Sequence, residues 1–147
     1  MRLFSIFVLS LTLVGCMAKE QPLNFTSTSG KPEVSLQNLS LDEAKNKLID
    51  GCLNKGLQIE QQGNSSVICW KTLEGGSSIL ATLAIGNSYS TAPTQKTQFI
   101  FTEKNDSVRI VGTRMWIETQ MAFGQTKTQD LTANHQINSI QDFLRGL

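Results

Sequence analysis

Histidine occurs once in this chain, at position 135, and cysteine only three times, which leaves few side chains for acid-base, nucleophilic or metal chemistry. His135 sits in the polar start of a C-terminal helical pattern with no nucleophile beside it, which suits a surface or capping role better than a general base. Serines are numerous, yet no Gly-x-Ser-x-Gly elbow and no glycine-rich phosphate loop occurs. Gly75-Gly76-Ser77-Ser78 reads as a turn leading into a strand. Two cysteines and one histidine, once the third cysteine is set aside, do not make a zinc set. The expectation is a non-enzymatic protein without catalytic residues, cofactor or metal. An excess of charge is lacking too: 13 Lys and Arg face 12 Asp and Glu. With no basic surplus to hold phosphates, nucleic acid is not an expected partner. Internal repeats are absent, and the longest apolar run is too short to span a bilayer as a helix.

That run is where the chain begins. Arg2 is followed by apolar and hydroxyl residues ending in Leu13-Val14-Gly15-Cys16. A basic start, a short apolar stretch and a small residue read as a cleaved export signal and not as a transmembrane anchor. The final four residues resemble the lipobox of bacterial lipoproteins. The resemblance implies cleavage after Gly15, so that residues 1–15 are a signal peptide and Cys16 becomes a first residue bearing a diacylglyceryl thioether and an acylated amine. Each buried acyl methylene contributes about 0.8 kcal/mol, and more than one chain gives durable attachment. Met17 and Ala18 follow the cysteine where an aspartate would signal inner-membrane retention. The resemblance therefore implies lipid anchoring to the outer membrane; it leaves periplasmic and surface-exposed orientations open, and the periplasmic side is the expectation. Loss of Arg2 leaves a mature chain with twelve basic and twelve acidic residues.

Residues 16–34 are polar, carry Pro22, Gly30 and Pro32, and follow neither a helical nor an alternating period, as expected of a flexible tether. Residues 35–147 suit a single domain. Val34 and Leu36, with Leu39 as a further candidate, suggest a short first strand. Ser40, Asp42 and Glu43 then form a capping-box pattern, and Leu41, Ala44, Leu48, Ile49 and Cys52 recur at helical spacing up to a stop at Gly56. Leu57–Gln62 and Ser66–Thr72 flank Gly63-Asn64-Ser65 as a hairpin. Ile79–Ile85 reads as another strand, followed by a long polar connection, Asn87–Thr97, and a strand over Phe99–Thr102. In Ser107–Phe123, Val108 and Ile110 have the opposite parity to Met115, Ile117, Met121 and Phe123. A bulge at Gly112 puts both sets on one face. After the polar stretch Gly124–Thr132, Ile137, Ile140, Phe143, Leu144 and Leu147 mark a second amphipathic helix, with Asn134 as its N-cap.

The expected fold is α+β, in the order β-α-β-β-β-β-β-α, with one antiparallel sheet of four to five strands and two helices packed on one face. In element order alone it resembles helix-grip and TBP-like layouts, including the modules of the BamC lipoprotein of the outer-membrane barrel-assembly machine. That resemblance implies a non-enzymatic interaction module and carries over no residue.

Cys52 and Cys69 remain in an exported protein whose other cysteine is lipidated, so a disulfide between them is expected. If Cys69 faces the helix, alternation turns Trp70 to the other face, and the bulge puts Arg109, Arg114 and Trp116 there as well. These four residues are the candidate interaction surface, since Trp and Arg dominate binding hot spots. Two functions follow. One is an envelope interaction lipoprotein that binds a protein partner, as an assembly or secretion accessory or an exclusion or immunity factor. The other is a small-ligand or lipid carrier. A pocket of several hundred cubic ångströms between helix and sheet favours the carrier, and a filled core with an exposed aromatic patch favours the interaction module.

Overall fold

A computed structural model describes residues 20–87 and 89–147. The expected signal peptide, residues 1–15, and the expected lipidation site Cys16 lie outside the described residues. The element order is β1 (Glu33–Gln37), α1 (Leu41–Asn54), β2 (Gln58–Gln61), β3 (Ser66–Thr72), α2 (Gly75–Ile85), β4 (Thr94–Lys104), β5 (Ser107–Gln120), β6 (Thr126–Asp130) and α3 (Asn134–Arg145). All strand pairs are antiparallel, in the order β1-β5-β4-β3-β2, and β6 also pairs with β5. The fold is α+β, with α1 and α3 on the same face of the sheet.

Helix α1 starts as its sequence dictates. Ser40 Oγ accepts from Glu43 N, and Glu43 Oε2 accepts from Ser40 N at 2.8 Å, so two otherwise unpaired amides are satisfied reciprocally. At the other end Gly56 takes φ +70°, its amide donates to Leu53 O, and Leu57 N donates to Cys52 O. This paired closure needs a left-handed residue, which glycine adopts without a Cβ clash. The buried stripe Ala44, Leu48 and Cys52 packs with Val67, Cys69, Phe99, Phe101, Val108, Ile110, Met115, Ile140 and Leu144 into one core. Cys52 and Cys69 are disulfide-bonded with their Cα atoms 6.2 Å apart, stapling α1 to β3.

The bulge in β5 forms at the expected place. Phe99 pairs with Gly112 and Gln98 with Arg114, leaving Thr113 as the extra residue. Val108, Ile110 and Met115 thereby all join the core. Strand β5 ends at Gln120, so Phe123, expected on the core face, instead lies in a short 3-10 turn with φ +67° and is fully exposed.

Ile79–Ile85 is not a strand. It belongs to α2, whose first turn is the Gly75-Gly76-Ser77-Ser78 stretch expected to be a turn before a strand. A short apolar run does not distinguish strand from helix by periodicity, and here Leu and Ala are good helix formers. The sheet also leaves no room: β3 pairs with β2 on one edge and with β4, residue for residue over its length, on the other. The polar stretch expected to be only a connection supplies β6, and β4 begins at Thr94, inside the expected long loop. The sheet thus has six strands, with three helices among the described residues.

The segment expected to be a tether is fastened to α3 from Glu20 onward. Glu20 Oε1 accepts from Asn134 N, Pro22 O accepts from Asn138 Nδ2, and Asn24 N donates to Asn138 Oδ1. Arg145 Nη2 donates to Asn24 O at 2.8 Å, and Asn24 Nδ2 to Asp142 Oδ1. Where the chain enters β1, Gln141 accepts from Glu33 N and donates to Glu33 O. Asn138 and Gln141 are buried, and the strap satisfies the first amide and the start of β1 the second. The N-cap is Ala133, one residue before the expected Asn134. Asn134 is the first helical residue, with the Glu20 carboxylate at its amide and the Gln136 side chain at Ala133 N.

The disulfide joins residues 17 apart in sequence, so the chain-entropy model gives it about 3 kcal/mol. Intact mass after alkylation of the denatured, unreduced protein should show no reactive thiol at Cys52 or Cys69. A Cys52→Ala, Cys69→Ala variant should unfold in urea with roughly that loss of stability.

Candidate functional site

On the sheet face opposite α1 and α3, cross-strand pairing lines up Gln58, Trp70, Lys96, Trp116 and Asp130 in one row. Directly paired residues share a face, so Trp70 and Trp116 flank Lys96 on it. Glu60, Gln98 and Arg114 occupy the next row one way, and Thr94 and Glu118 the other.

The charges of this face are paired among themselves. Lys96 Nζ lies 3.0 Å from Glu118 Oε1 and 3.6 Å from Glu60 Oε2. Trp116 Nε1 donates to Glu118 Oε2 at 3.3 Å. The Arg114 guanidinium carbon stacks 4.7 Å from the centroid of Trp116, and its Nε and Nη2 both lie 2.7 Å from Asp130 Oδ1. Burial pushes the Glu118 carboxyl up, but hydrogen bonds from Lys96 and Trp116, with the charges of Lys96 and Arg114, outweigh it and hold its pKa below the ordinary 4.5. Burial likewise depresses Lys96, and its bonds and charge contacts with Glu118 and Glu60 outweigh that, raising its pKa above 10.5.

Of the four expected interaction residues, the structure brings Trp70, Arg114 and Trp116 onto one neighbourhood of one face. Arg109 shares the face but lies roughly 20 Å along β5 from Trp116 at strand rise, beside Glu33 at 4.0 Å. Trp70 is half-buried, whereas Trp116 is only 6 % exposed beneath the Arg114 guanidinium. A shielding role for Arg114 is the simplest account of that stack. Lys96, Glu60 and Asp130 went unread in the sequence because register, not composition, gathers them.

Two further surfaces stand out. Helix α2, Gly-Gly-Ser-Ser-Ile-Leu-Ala-Thr-Leu-Ala-Ile, has no charged residue and lies against β5 and β6, burying Ala81 and Ile85. It leaves Ile79, Leu80 and Leu83 exposed by 63 %, 70 % and 79 %, and Tyr89 just beyond it is also exposed. An uncharged helix that shows aliphatic side chains to solvent is the usual mark of a binding surface. Reading these residues as a strand hid it. On the helix side of the sheet, a cleft of about 610 Å³ opens between the C-terminal ends of α1 and α3, floored by Phe99, Met115 and Cys69, walled by Phe143 and Leu147, with Lys55 and Lys71 at its edge. Phe99 and Phe143 stack with centroids 5.7 Å apart.

Among the described residues no group of three or more His, Cys, Asp and Glu side chains is placed to hold a metal ion, and no helix is long and apolar enough to cross a membrane. No protein-family model matches the chain, and no curated protein is significantly similar to it.

A carboxylate whose pKa is lowered on folding stabilises the fold above its unfolded pKa, and that contribution is lost as pH falls through the folded value. Glu118→Gln should therefore cost up to about 1 kcal/mol at neutral pH. The difference from wild type in urea unfolding should shrink once the pH drops below 4.5. A difference that persists undiminished at pH 2 would show that the Glu118 charge is not what the site uses.

Proposed function

We propose that this protein is a lipoprotein of the bacterial outer membrane, acylated at Cys16, whose α+β domain faces the periplasm and binds another envelope protein without catalysing a reaction. The anchor rests on Leu13-Val14-Gly15-Cys16 at the end of a short apolar run. The binding role rests on one structural observation, the uncharged helix α2 with Ile79, Leu80 and Leu83 in solvent. Burying a large aliphatic side chain contributes roughly 1.5–3 kcal/mol, and α2 offers three on one helix with no charge to desolvate. Such a surface fits an accessory of an assembly or secretion complex, or an exclusion or immunity factor. The Trp70, Arg114 and Trp116 surface is the second docking candidate, with Trp70 as its accessible aromatic.

The alternative, a small-ligand or lipid carrier, is favoured by the cleft between α1, α3 and the sheet. Its volume falls in the range of ligand sites. The cleft is open to solvent along one side, and the core beneath it is filled by Leu48, Cys52, Val67 and Leu144, all fully buried. That form suits a transient ligand or a partner's side chain better than an enclosed carrier cavity.

Cys16→Ala should release the protein from membranes and abolish its metabolic labelling with fatty acid. A photo-crosslinker at Leu83 in the native envelope should capture a discrete protein, and one at Lys71 should not. Lipid adducts at Lys71 with no protein adduct at Leu83 would favour the carrier.

A further inference from the structure

Because the strap is held along α3, the chain between the lipidated residue and the folded body is much shorter than the polar stretch suggests. Resting on the lipoprotein reading above, we propose that the N-terminal end of α3 is the membrane-facing pole of the domain, held against the phospholipid headgroups of the bilayer that carries the anchor. From Cys16 to Glu20 the chain has four residue steps, at most about 14 Å when fully extended. Glu20 is already on the body, its carboxylate 3.1 Å from Asn134 N. The next contacts march up the same helix: Pro22 and Asn24 on Asn138, then Asn24 on Asp142 and Arg145. A strap laid in this direction delivers its free end to the start of α3. The C-terminal end of that helix, where the cleft opens beside Gly146 and Leu147, lies about 18 Å further along the axis.

The strap's grip comes from the chemistry of α3. Asn138 and Gln141 are nearly fully buried, and each presents one donor and one acceptor to main chain, Asn138 to Asn24 and Pro22 of the strap and Gln141 to Glu33 at the start of β1. Without the strap both amide functions of Asn138 lose their protein partners, and an unsatisfied buried polar group costs about 1–3 kcal/mol. The domain pivots about Glu20, with a leash shorter than α3 itself.

The full-length lipidated protein is reconstituted in vesicles of phosphatidylethanolamine and phosphatidylglycerol that carry a nitroxide-labelled headgroup, which quenches only at short range. A fluorescent amino acid replaces either His135, exposed in the first turn of α3, or Lys55, exposed near its far end. Quenching at position 135 should be at least twofold that at 55. A twenty-residue Gly-Ser insertion between Cys16 and Glu20 should abolish the difference. The same insertion after Thr28, in the exposed turn that follows the strap, should leave it intact. Equal quenching at 135 and 55 in wild type overturns the proposal, as does loss of the difference on insertion after Thr28, which would mean that the strap does not hold. Fatty-acid labelling of the same preparation separates the two readings. Labelled protein with equal quenching removes the pole alone, and unlabelled protein removes the anchor and the pole with it.

Discussion

The central strand β5 must feed one core from both of its halves, and that requirement shapes the rest of the fold. It is paired along one edge with β4 and along the other first with β1 and then with β6. Ile110 and Met115 are an odd number of residues apart, so a regular strand would send one of them to the wrong face. Thr113 is the extra residue that corrects this, and Gly112 beside it does a second job. A Cβ on Gly112 would stand 2.6 Å from Ile140 Cγ2 and 3.7 Å from Pro32 Cβ. The branched Ile140 atom has little freedom to retreat, and overpacking of this sort typically costs about 1–3 kcal/mol. The missing side chain is thus what lets α3 come down onto the sheet. Once α3 is there, Leu147 and Phe143 meet α1 at Gly51, where a Cβ would lie 2.8 Å from Leu147 Cδ2. The interior glycine that weakens α1 in isolation is the point where the two helices touch.

What was legible in the sequence follows from this. Features written in side-chain chemistry at fixed spacing were readable: the Ser40 and Glu43 box, the Gly56 stop, the parity slip at Gly112, the cysteine pair. Features created by tertiary placement were not. Ile79–Ile85 has no period to choose by, and only the direct pairing of β3 with β4 excludes it from the sheet. Thr126–Asp130 is exposed along its whole length and has no apolar alternation, since it joins the sheet through backbone bonds at the edge of β5. The strap is invisible for a similar reason. Its hold is made by main-chain groups of Pro22 and Asn24 against Asn138 and Arg145, and composition alone marks such a segment as unstructured.

The candidate site was half legible. Alternation, with Cys69 turned to the helix and a bulge at Gly112, placed Trp70 and Trp116 on a common face without knowledge of the register. Their neighbours depend on register, which sets Lys96 between the tryptophans and Glu118 within reach of both Lys96 and Trp116. Arg109 was grouped with them by parity too, but parity carries no information about distance along a strand.

The two exposed surfaces differ in what a partner must do to occupy them. On the sheet face, Lys96 already has two carboxylates and Arg114 has both Asp130 and the Trp116 ring. A partner that covers this face must desolvate those pairs, a cost that often matches the gain for buried ion pairs. Helix α2 imposes no such cost, since its side chains are aliphatic, hydroxyl or absent. The hydroxyl of Ser77 and the amide at Gly86 are bonded within the helix and its caps, donating to Glu74 O and Thr82 O. Contact with α2 therefore returns the free energy of apolar burial with little polar penalty, but it carries little directional information. Specificity would have to come from what surrounds the helix. The proposed short lipid leash would supply one such restriction by limiting the set of partners to those that reach the same membrane surface.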